Sequence, residues 1–107
     1  MNSDGLSTFQ EIRLELFLDG IVNNHDLLPP ITRIEYMLTD IKAGSITRIL
    51  PETRIEYYLA KISGADVKIP KPVTRLEYYL AKIAGMKSKP PKPITRIEKL
   101  LLEWSNK

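Results

Sequence analysis

One short phrase is written four times along this chain. Thr32, Thr53, Thr74 and Thr95 follow one another at intervals of 21 residues, and each opens Thr-Arg-[Ile/Leu]-Glu. Two residues before each stands a proline: Pro30, Pro51, Pro72 and Pro93. A looser copy, Arg13-Leu14-Glu15-Leu16-Phe17-Leu18-Asp19-Gly20-Ile21, lies one residue out of phase. A fixed period restricts the chain to architectures assembled from one module, so the module has to be understood first.

Each module has the grammar of one short helix. Thr-x-x-Glu is a capping box, in which the threonine hydroxyl accepts from the backbone N–H three residues on and the glutamate reaches back. The pairs are Thr32/Glu35, Thr53/Glu56, Thr74/Glu77 and Thr95/Glu98, with Thr8/Glu11 ahead of the first unit. Ile31 with Tyr36 and Val73 with Tyr78 have the spacing of a hydrophobic staple. Gly44, Gly64 and Gly85 fall where a left-handed C-terminal cap is wanted, and prolines beyond them stop the helix from resuming. The pattern predicts helices near 9–22, 33–43, 54–63, 75–84 and 96–105. A decoy, Ile46-Thr47-Arg48-Ile49, is followed too soon by Pro51 to start another.

Every predicted helix carries the same apolar stripe at i, i+3, i+4 and i+7. It reads Ile34, Met37, Leu38, Ile41 in the second helix and recurs through the others, from Leu14, Phe17, Leu18, Ile21 to Ile97, Leu100, Leu101, Trp104. Helices of about 11 residues are marginal alone in water. Four buried side chains return roughly 1.5–3 kcal/mol each, against about 1–2 kcal/mol per residue to order the backbone. A lone unit is not expected to fold. The Pro- and Lys-rich connections resemble polyproline spacers at about 3.1 Å per residue. The expected fold class is therefore all-α, a tandem array of five short capped helices on extended linkers, with little or no independent globular core. Residues 1–28 form a divergent N-terminal helix suited to anchoring, and residues 29–107 the four T-R-x-E repeats. Two arrangements lead, a strap whose modules dock in succession on a large assembly and a multi-chain bundle of stacked layers. A compact five-helix monomer is the less favoured alternative.

The arginines raise a separate question. Arg33, Arg54, Arg75 and Arg96 occupy the first helical position, where a cation opposes the helix dipole by about 0.3–1 kcal/mol. A choice so repeated implies a specific partner for a planar fork of five donors. That partner is an acidic or carbonyl-rich pocket on another molecule, a neighbouring copy's glutamate, or an acid within the same chain; plain solvation over a covering aliphatic stem is the fourth option. Partner contact is assigned to these four arginines, to Tyr36, Tyr57, Tyr78, Tyr58 and Tyr79, and to Leu38, Leu59, Leu80, Leu101 and Trp104.

Composition excludes much chemistry. With no cysteine and the single histidine His25, there is no ordinary transition-metal set and no expected cofactor. No phosphate-binding or dinucleotide fingerprint occurs. The repeated glutamates fall on different helices rather than in an acid/base pair, so no enzyme is expected. No apolar run reaches the length of a membrane span, and Met1–Gly5 lacks the features of a secretory leader. A net charge of +3 is weak ground for nucleic-acid binding. Lys68, Lys71, Lys87, Lys89 and Lys92 make the later linkers basic, yet no aromatics interleave with them to stack bases. Direct nucleic-acid binding is not the expected role.

The segments "PITRIEYML", "PETRIEYYLAKISG", "PVTRLEYYLAKIAG" and "PITRIEKLL" resemble the P-x-T-R-x-E-x-Y-L-x-x-I-[AS]-G repeats of tailed-bacteriophage structural proteins, in head, neck or fibre-associated positions. The resemblance spans about residues 30 to 105 and brings no catalytic residues. It implies that Thr32, Arg33, Glu35 and their counterparts form a docking module. The resulting expectation is a non-enzymatic virion protein, present in the host cytoplasm during assembly, acting as a multivalent strap or head decoration on a capsid, neck or other virion protein. The alternatives are a tail- or fibre-associated homo-oligomer of stacked bundles, and a nucleic-acid or packaging accessory using the basic linkers.

Overall fold

Helices begin where the threonines place them. The computed structural model describes residues 8–107, so Met1–Gly5 lies outside the described residues. Among those described there are five helices and no strand: α1 (Thr8–Asn23), α2 (Arg33–Ala43), α3 (Arg54–Ser63), α4 (Arg75–Ile83) and α5 (Arg96–Ser105). Thr8, expected to cap α1, is itself helical. The other four threonines are extended at the cap, and their hydroxyls accept from the amides of Glu35, Glu56, Glu77 and Glu98 at 3.1–3.3 Å. Thr74→Ala is expected to lower stability by about 0.5–2 kcal/mol, measured as a shifted urea midpoint with an unchanged slope.

The glutamates reach back one residue further than a standard box requires. Their Oε1 atoms accept from the amides of Ile31, Glu52, Val73 and Ile94, each the residue before the cap, at 2.8–2.9 Å. Glu77 also takes the cap amide itself, at 3.4 Å. At the other end, Gly64 closes α3 at φ +111°, where a Cβ would also meet Ile46 Cγ1 at 3.2 Å. In the first unit Asn24, at φ 58°, takes the left-handed position that glycine fills elsewhere. Its short polar side chain tolerates that conformation.

The five helices form a closed ring in which each touches only its two neighbours, with α5 packed against α1. All point the same way: arginines near the start of α1 to α4 bond glutamates in the first turn of the following helix, and Lys42 in the last turn of α2 reaches the Gly20 carbonyl near the end of α1. Equivalent side chains therefore meet in layers around a common axis. Leu14, Ile34, Ile55, Leu76 and Ile97 form one ring, and Leu18, Leu38, Leu59, Leu80 and Leu101 the next, around an apolar void of about 50 Å³. Between adjacent helices lies a third set, Phe17, Met37, Tyr58, Tyr79 and Leu100, almost wholly shielded from solvent. The body measures 32 × 31 × 26 Å, with two nearly equal dimensions as a ring with rotational pseudo-symmetry requires.

This corrects the expectation of an array with little core and linkers that hold modules apart. An 11-residue helix is about 16 Å long, and ten extended residues cover roughly 30 Å. The linkers are long enough to return the chain to the starting end of the ring while stepping one helix sideways. They are also part of the core: Ala65, Val67 and Ile69 pack against it in alternation with exposed Asp66 and Lys68, and Ile49 and Met86 do the same in the flanking linkers. The stripes that could not fold singly are buried against each other.

Candidate functional site: the arginine clasps

The arginine at the start of each repeat grips the next repeat. Arg33 Nε and Nη2 donate to Glu56 Oε2 and Oε1 at 3.0 and 2.9 Å, and Nη2 also donates to the Leu50 carbonyl at 2.7 Å. Arg54 holds Glu77 and the Lys71 carbonyl in the same way. Arg75 holds Glu98 and the Lys92 carbonyl. Arg13, from the degenerate first unit, holds Glu35 and the Pro29 carbonyl. Each carbonyl belongs to the residue before the repeat's proline, which that proline biases toward extended backbone. The whole phrase is thereby accounted for. Proline fixes the direction of a carbonyl, threonine caps, glutamate accepts from behind, and arginine reaches forward to the next copy.

The electrostatics follow. Glu35, Glu56, Glu77 and Glu98 are buried, and their carboxyls sit below the usual glutamate range. The arginine hydrogen bonds are the main cause, outweighing the opposing effect of burial, with backbone amides adding to them. The partner guanidiniums of Arg13, Arg33, Arg54 and Arg75 are correspondingly raised by the glutamates they bond. The unfavourable dipole position is offset by a bidentate carboxylate and a carbonyl, so of the four options the structure has an acid within the same chain for Arg33, Arg54 and Arg75.

The ring does not close with a fifth clasp. Arg96 faces α1 rather than another repeat, stays 60% exposed, and comes only within 4.0 Å of Asp19. Glu15, two residues after Arg13 as Glu35 is after Arg33, makes no ion pair among the described residues. The α1–α5 boundary is held mainly by apolar packing, with Leu14 and Leu18 of α1 and Ile97 and Leu101 of α5 lining the same axial void.

The remaining side chains assigned to partner contact divide by exposure. Leu38, Leu59, Leu80 and Leu101 line the axis, and Tyr58 and Tyr79 lie between helices with no exposed surface. A partner reaches none of these without opening the ring, because the helices bury them against each other. Trp104 is partly buried against the core. Tyr36 and Tyr57 are exposed and Tyr78 half-buried, so these remain accessible. Ile31 and Val73, expected to staple onto Tyr36 and Tyr78, are themselves mostly exposed.

The buried tyrosines have a role that helical periodicity did not reveal. Tyr58 donates its hydroxyl to the Pro70 carbonyl at 2.6 Å, and Tyr79 donates to that of Pro91. Each tyrosine ties its helix to the linker that follows, and burial pushes both phenols up. Tyr58→Phe leaves the Pro70 carbonyl without that donor and is expected to cost about 1–2 kcal/mol, read from thermal melts beside an exposed Tyr57→Phe control that should be neutral.

No group of three or more potential metal ligands occurs among the described residues, and no helix there is long and apolar enough to cross a membrane. No family model, curated protein or solved structure matches this chain.

Proposed function

We propose that this chain is a non-enzymatic structural protein of a tailed-bacteriophage particle, seated as a folded decoration on a symmetric head or neck assembly. The observation that carries the reading is the use of the repeat. Its recurring arginines and glutamates bind one another along the ring from α1 to α5, leaving a disc whose outer residues vary from unit to unit. Pseudo-five-fold rotation suits such a disc to a symmetric support, and the repeat resemblance supplies the class of assembly. A strap that docks module by module would have to expose five apolar stripes and break four clasps, so the folded disc is the favoured form. Particles purified by density gradient from the phage encoding the chain should retain it in fixed stoichiometry by quantitative mass spectrometry. Its loss into the soluble fraction of the lysate would overturn the reading.

A further inference from the structure

The end of the ring where all five helices begin is unlike the rest of the surface. The residues before the caps of α2, α4 and α5 are Ile31, Val73 and Ile94, exposed by 63, 72 and 73%. Leu50, three residues before Thr53, is 81% exposed, and α1 begins five residues ahead of Arg13 with Phe9 and Ile12 also open to solvent. Apolar side chains thus surround this end.

Equivalent positions around the same end differ in charge by side. Three residues before the cap stand Pro29 and Leu50 in the first half, but Lys71 and Lys92 in the second. The α1–α3 side adds Glu11, Glu15 and Glu52, the last 4.0 Å from Arg33, while its arginines Arg13, Arg33 and Arg54 are paired in clasps. The α4–α5 side adds the unclasped Arg96. In a five-membered ring α2 lies opposite the gap between α4 and α5, so the acidic and basic arcs face each other across the axis.

The geometry points to a second copy of this chain as the occupant of this face, joined by a two-fold axis lying across it. Such a rotation lays each acidic arc on the partner's basic arc, and each contact is made twice. A face about 30 Å across is on the order of the ~800 Å² per partner that a standard interface buries. Opposed helix N-termini would repel, but a buried carboxylate already occupies the first turn of each of α2 to α5. This inference does not depend on the virion reading.

The test is sedimentation equilibrium of the full chain over a range of concentrations. A monomer–dimer equilibrium is expected, weakened in about 1 M salt, where screening acts within ~3 Å. Reversing one arc, by Lys71→Glu with Lys92→Glu or by Glu11→Lys with Glu52→Lys, should weaken the dimer at least about tenfold for charges brought face to face. All four changes in one chain should restore it, because both arcs then swap sign. Val73→Ser with Ile94→Ser should weaken it without altering the thermal melt of the dilute, monomeric chain. A chain monomeric at every concentration, a dimer indifferent to reversal, or open-ended growth into larger species would overturn the proposal.

Discussion

Glu77→Ala is expected to destabilise the ring by about 3 kcal/mol, the lower end of the range for removing one member of a buried ion pair. The carboxylate is 3% exposed and accepts from Arg54 twice, from the Val73 amide and from the Thr74 amide. Alanine leaves those amides without their acceptor and takes away the forked partner of Arg54. For a domain near this size the loss corresponds to a melting temperature lower by roughly 15 °C. Arg54→Ala should act in the same direction by a smaller amount, since its side chain is half exposed and water can replace part of what it loses. Arg54→Lys should not restore the wild-type value, because a lysine cannot donate as a planar fork to both oxygens while reaching the Lys71 carbonyl. A change at Glu77 no larger than at an exposed control such as Glu103 would show that the clasps are ornamental. A double-mutant cycle between positions 54 and 77 isolates the pair from the capping contribution.

Local structure was legible in the sequence because local chemistry sets it. The starts of α2 to α5 follow from Thr-x-x-Glu, and Gly44 and Gly64 stop α2 and α3 where expected. The joining of successive units was not legible, because it depends on partners 22 or 23 residues apart that no helical periodicity connects. An arginine at the first helical position signals that a partner exists without saying whether it is in the same chain. In the linkers, prolines and lysines mask the apolar residues between them. Ala65-Asp66-Val67-Lys68-Ile69 alternates with period two, the mark of extended chain with one face buried, and that face packs on the core. The tyrosines divide for a similar reason. Tyr57 and Tyr58 are neighbours in sequence, yet one helical step of 100° sends the first to solvent and the second into the helix boundary, a distinction the Tyr-Tyr doublet conceals.

Acid should unfold the ring over a narrow interval. The four clasped carboxyls all titrate below the ordinary glutamate range in the folded state, chiefly because arginine hydrogen bonds favour the charged form. The unfolded chain therefore binds more protons than the folded one in that interval, and stability must fall as pH falls. The contribution is fully present above the unfolded value of about 4.3 and is lost as pH drops through the depressed folded values. Little change from this source is expected between pH 8 and about 6, where both states keep these groups ionised. Because one glutamate sits in each of α2 to α5, the losses add around the ring, and each protonation also frees the arginine that ties two helices together. Urea midpoints taken by circular dichroism should be flat near neutrality and drop steeply below about pH 4.3. The Glu77→Ala chain, starting from lower stability, should unfold at higher pH with a shallower dependence, having one fewer proton to take up. A wild-type midpoint that stayed level to pH 3 would mean the buried carboxylates are not charged partners of the arginines.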